Sequence, residues 1–221
     1  MSALWVIVSL VLTIGSGGKG WAEDTIGTRP LLTIADNDLV NILPRDSRIL
    51  IDPSSIERFL DALDENPPDW GTVYGRGHHD PGHDERLFTL NRERDAKRAG
   101  NPAMRQLITF VWFGELSRYD AEGGGYRVAV GPKLTPTRWG VVRFKYEYLH
   151  GELVAKVSAP LREKLEQRFA RGESVDITVA LTGRLIPEES VVYDFSHDQA
   201  GLGVIMPVVK VERLDYLLMK K

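Results

Sequence analysis

The stretch Pro160–Gly183, PLREKLEQRFARGESVDITVALTG, decides the fold. Its first half places Leu161, Leu165 and Phe169 four residues apart, on one stripe of a helix. Arg162, Glu163, Lys164, Glu166, Gln167 and Arg168 cover the remaining faces. Proline suits the first turn, and Gly172 suits the C-terminal cap. A helix over 160–171 is predicted. Its second half switches period. Val175, Ile177, Val179 and Leu181 alternate with smaller or polar residues, the pattern of a strand with one buried face. Gly183 marks a bulge where that strand bends.

Working outward, the same alternation or a β-branched, aromatic run recurs on both sides. Leu107–Phe113 is apolar on both faces and reads as a central, doubly buried strand. Tyr126, Val128 and Val130 alternate after a glycine-rich turn at 120–125. Residues 139–148, 153–157, 191–195 and 204–218 supply further strands, and Pro207 places the start of the last at an edge or a bulge. Short strands are also expected at 31–34 and 48–51. Between 53 and 64, Ile56, Phe59, Leu60 and Leu63 line one helical face behind Asp52-Pro53, and Asn66-Pro67-Pro68 ends that helix. The expected fold is α+β and β-rich: a mostly antiparallel curved sheet or a small OB-like barrel, with two short helices at 53–64 and 160–171. A helix between strands, followed by a glycine bend in the next strand, resembles the architecture of OB-like barrels.

The chain divides into three expected parts: an export signal at 1–22, an irregular region at 23–105, and a β-rich domain at 106–221. The signal rests on Ala3–Ile14, ALWVIVSLVLTI. Those residues are uncharged and too few to span a bilayer, but they match the apolar segment of a signal peptide. Gly20-Trp21-Ala22 then offers a small-x-small cleavage site. Met1-Ser2 carries only the α-amino charge, where a signal peptide usually has basic side chains. The middle region is polar at Gly71–Glu85, followed by a mixed-charge run at 91–98 that suits a solvated helix. It reads as either a long ordered loop with a short helix or an insertion.

The formal charge is −3, and no cysteine is present. A mildly acidic chain lacks the electrostatic footprint of a nucleic-acid binder. Without cysteine there is neither a disulfide nor a lipid attached through a thiol. The expected location is periplasmic or secreted, with no transmembrane segment once the signal is cleaved.

Two groups of residues point to chemistry. His78, His79 and His83 lie within six residues of one another, next to Asp84. Imidazole and carboxylate ligands suit a divalent metal such as zinc. Pro81 and Gly82 argue against one helix presenting His79 and His83 together. Trp139, Phe144, Tyr146 and Tyr148 form an aromatic series interleaved with Arg138, Arg143 and Lys145. On an open sheet face such rings hold a partner; otherwise they are core. Ser196-His197-Asp198 has the residue types of a hydrolase triad, but neighbours on an extended chain point to alternating sides. No nucleotide-binding glycine motif occurs. The expectation is an exported, non-enzymatic binding or assembly module of a bacterial-type cell envelope, its partner another envelope protein or a glycan. The alternative is a metal-dependent hydrolase using His78, His79 and His83.

Overall fold

The computed structural model describes residues 27–35, 38–77, 80–147, 153–187, 190–196 and 202–220. The expected export signal, His78, His79, Tyr148 and His197 lie outside them. The elements run β1 (Gly27–Thr28), β2 (Leu32–Ile34), α1 (Leu39–Ile42), β3 (Arg48–Leu50), α2 (Pro53–Asp64), α3 (Trp70–Tyr74) and α4 (His83–Arg98). A 3-10 turn at Pro102–Arg105 follows. Then come β4 (Ile108–Asp120), β5 (Gly125–Gly131), β6 (Leu134–Thr137), β7 (Gly140–Arg143), β8 (Lys145–Glu147), β9 (Val154–Lys156) and α5 (Ala159–Ala170). The chain ends in β10 (Val175–Leu185), β11 (Val191–Phe195) and β12 (Gly203–Met219).

The fold is α+β and rich in sheet, and the sheet is mixed and not closed into a barrel. Its long ladders are antiparallel, as expected. β10 lies between β4 and β12, with Val179 opposite Trp112 on one side and Tyr216 on the other. β4 continues the sheet to β5, and β5 to β9. The parallel component comes from short strands that no sequence period reveals. Along one edge of β12 lie β7, β8, β1 and β2, all parallel to it. Each has only two to four residues.

β10 and β11 act as one interrupted arm against β12. Ile186 N donates to Val208 O, and Val208 N donates to Ser190 O, so both ends of the interruption meet the same β12 residue. Pro207 does not end β12. The ladder pauses instead on the opposite edge: β7 reaches Ile205, β8 resumes at Val208, and Pro207 lies in the gap with no N–H to offer. The bulge expected at Gly183 is present, as a register shift between Thr182 and Gly183. A Cβ at Gly183 would sit 2.0 Å from Lys210 O, so the close backbone approach needs glycine.

α2 forms where its capping signals place it. Asp52 Oδ1 accepts from Ser55 N at 2.9 Å, and Ser55 Oγ accepts from Asp52 N at 3.3 Å. The helix buries Ile56, Phe59, Leu60 and Leu63 in the same core as Phe110, Val179 and Leu214. Burying each such side chain stabilises by about 1.5–3 kcal/mol.

Among the described residues there are five helices rather than two. The added ones are α1, α3 and α4. α4 begins at His83, eight residues before the mixed-charge run that suggested a helix. Pro81 and Gly82 precede it and so do not break it. Asp84 and Glu85 in its first turn, and Lys97 and Arg98 in its last, complement the helix dipole.

Tyr216 on β12 is 1 % exposed, and burial pushes its hydroxyl up to about 12. An unfolded tyrosine ionises near 10. Between about pH 10 and 12 the unfolded chain therefore binds fewer protons than the folded one, and stability falls as pH rises. The full loss from Tyr216 is roughly 2–3 kcal/mol. Urea midpoints at pH 8 and pH 11.5 should differ less in Tyr216→Phe than in the parent; equal differences would refute this.

Candidate functional site

His83 sits at the start of α4, its Nδ1 2.9 Å from the Asp84 carboxylate. Its ring stacks on Phe195 at 4.7 Å between centroids, and Tyr74 meets both rings edge-on. Asp80, one turn earlier, is already engaged. It accepts from Arg86 Nη2 at 2.9 Å and from Gly82 N at 3.0 Å. Hydrogen bonds from Arg86, then from the Gly82 and Arg76 amides, hold its carboxyl well below the usual carboxylate range. Among the described residues no group of three His, Cys, Asp or Glu is placed to hold a metal ion.

The aromatic series is split by burial. Trp139 is fully buried; its Nε1 donates to Asp61 Oδ1 at 3.1 Å, and its carbonyl accepts from Trp70 Nε1 at 2.6 Å. Phe144 is buried and stacks on Phe110 at 4.7 Å. Tyr146 is half-buried and packs on Trp112 at 5.0 Å. These three rings face the core rather than forming one open stripe.

A second polar group lies beneath α4. Arg98, 1 % exposed, donates twice to Asp64 at 2.7 Å, to Asp95 at 2.8 Å and to Val191 O at 3.1 Å. Tyr193 donates its hydroxyl to the same Asp64 carboxylate. Burial alone would lower the Arg98 pKa, but Asp64 and Tyr193 outweigh it and raise it. Asn91 pairs with Tyr193 as a strand would, its side chain accepting from Tyr193 N at 2.8 Å and donating to Tyr193 O at 2.9 Å. The group ties α2, α4 and β11 together, and the Asp64, Arg98 and Tyr193 side chains at its centre are closed to solvent.

An open feature lies at the other end of the sheet. A cleft of about 430 Å³ is lined by Ser117, Arg118, Tyr119, Tyr126, Glu166 and Phe169. It exists because β4 bulges. Leu116 pairs with Val128 and Tyr119 with Tyr126, so Ser117 and Arg118 together oppose one residue. The extra residue turns Tyr119 toward Tyr126 and α5, as bulges do where they re-aim side chains. Tyr119 meets Tyr126 edge-on at 5.2 Å, and Phe169 tilts over Tyr126 at 5.2 Å. Arg162 covers the Tyr119 ring at 3.9 Å and donates to Glu166 at 2.7 Å.

Tyr126 is 2 % exposed, and its hydroxyl has no hydrogen-bond partner among the described residues. An unsatisfied buried hydroxyl costs about 1–3 kcal/mol, so it calls for an explanation. Burial, then the nearby Glu166 carboxylate, pushes its pKa up, which keeps it a proton donor. Two sequence signals mark this site: Ser117-Arg118 interrupts the alternation of β4, and Arg162 and Glu166 pair at i,i+4 beside Phe169.

No helix among the described residues is long and apolar enough to cross a membrane. No family model, no curated protein and no solved structure matches the chain.

Proposed function

We propose that the chain is an exported, non-enzymatic binding module of a bacterial-type cell envelope, periplasmic or secreted, that holds its partner at the Tyr119–Tyr126–Phe169 cleft. The observation that carries this reading is the buried Tyr126 hydroxyl, without a partner among the described residues, at an open, ring-lined cleft. A concave, mostly apolar site with a few convergent polar groups is the usual form of a ligand pocket. Export is supported by the apolar segment at 3–14 and the small-x-small triplet at 20–22. An OB-like curvature of the sheet is part of the same reading. Leu31 N donates to Lys156 O at 2.7 Å while Arg29 N donates to Leu214 O at 3.2 Å, so residues 29–31 reach from β12 toward β9.

The test is retention of an envelope component on the immobilised chain. A component held by the parent should be lost with Tyr119→Ala, whose fold is checked by circular dichroism. Retention unchanged in that variant would overturn the reading. The rival, a metal-dependent hydrolase using His78, His79 and His83, has in its favour the carboxylate held against His83, since such partners orient metal-binding imidazoles. Stoichiometric zinc in the same preparation, lost in a His79→Ala, His83→Ala double variant, would favour the rival.

A further inference from the structure

The cleft carries a ligand class, an inference that rests on the binding reading above. Three features restrict the occupant. The first is the floor. Tyr126 Oη is a buried donor beneath the cleft with no partner among the described residues, and an acceptor oxygen from an occupant that reaches it would satisfy it. The second is the mixture of rings and polar groups. Tyr119, Tyr126 and Phe169 offer apolar ring surface, while the Ser117 hydroxyl and the Glu166 carboxylate stand beside them. A sugar ring matches both, with one face of C–H groups and a rim of hydroxyls. A flat aromatic or an acyl chain without an acceptor oxygen would leave the Tyr126 hydroxyl unpartnered. The cleft volume of about 430 Å³ suits one or two sugar rings.

The third feature is charge. Arg162 is matched by Glu166 at 2.7 Å, and Arg127 approaches Asp120 at 4.0 Å. Arg118 lines the cleft and has no ion-pair partner among the described residues. One uncompensated guanidinium beside a sugar-sized space fits one carboxylate, which it can grip through two parallel hydrogen bonds. We propose that the cleft binds an acidic sugar unit of a polysaccharide. The sugar ring packs on Tyr119 and Phe169, one of its oxygens accepts from Tyr126, and its carboxylate pairs with Arg118.

Calorimetric titration of the purified chain tests this with three probes: tetragalacturonate, the neutral cellotetraose, and N-acetyltyrosinamide as a ring without sugar. Tetragalacturonate should bind at least about tenfold more tightly than cellotetraose, the size of a charge-assisted contact. Arg118→Ala should weaken the acidic probe by about 10- to 100-fold and leave the neutral one unchanged. Tyr126→Phe, which keeps the ring and the packing, should weaken the acidic probe by about 2- to 10-fold. Tyr119→Ala should abolish binding. Equal affinity for the two sugars, or acidic binding indifferent to Tyr119→Ala, overturns the proposal. If only N-acetyltyrosinamide binds, or no probe binds while an envelope component still depends on Tyr119, the sugar class falls and the binding reading stands. If neither probes nor component bind, both fall.

Discussion

Arg98→Ala is expected to destabilise the chain by about 3–5 kcal/mol, because it leaves the Asp64 carboxylate buried with no cation. The geometry makes this one of the largest single effects available. Asp64 has a side chain with 0 % exposure and accepts two hydrogen bonds from Arg98 as well as the Tyr193 hydroxyl. Removing the guanidinium also releases Asp95 and the Val191 carbonyl. The pair itself contributes far less than its rupture costs, since two desolvated charges offset most of their own attraction. The double replacement Asp64→Leu, Arg98→Met should therefore recover most of the loss. Urea unfolding followed by circular dichroism measures both. A cost below about 1 kcal/mol for Arg98→Ala would show that water reaches the site. A double variant as unstable as the single would show that the charges fix a geometry apolar packing cannot replace.

Trp139→Ala is expected to cost a similar 3–5 kcal/mol, for a different reason. The ring is fully buried, its Nε1 bonded to Asp61 on α2, with the guanidinium of Arg94 5.9 Å above its centroid. Truncation loses its transfer energy and leaves a cavity the sheet cannot close. Trp139→Phe keeps most of the volume and loses only the bond to Asp61, so it should cost less than half as much. This pair also separates the two roles an aromatic in the turn between β6 and β7 can have. If Trp139 is core, the unfolding midpoint falls and partner retention by the folded protein is unchanged. If instead Trp139→Ala unfolds at the parental midpoint and loses partner retention, the ring serves binding.

Much of the fold is legible in the order of the amino acids. α2 begins and ends where its capping residues predict, since Asp52, Pro53 and Ser55 act within four residues of one another. β10 and α5 follow from period alone, and Gly183 announces its bulge. The site is less legible. Phe144 and Tyr146 alternate as a binding face would, yet Phe110 and Trp112 pack on them. Alternation tells that one face of a strand is apolar; it does not tell whether another element covers that face.

The amino-acid sequence alone determined the local choices at α2, α5 and β10, the α2 cap and the Gly183 bulge, and the likeness of the N-terminal segment to an export signal. These depend on neighbours a few residues away, and the chain carries them wherever it goes. Tertiary structure decided the parallel strands along β12, the Asp64–Arg98–Tyr193 group and the Tyr126 cleft. Each joins residues tens of positions apart, and the pairing of Tyr119 with Tyr126 depends on a one-residue shift of register. No local period records such a shift, because its energy lies in contacts that exist only once β4, β5 and α5 are packed together.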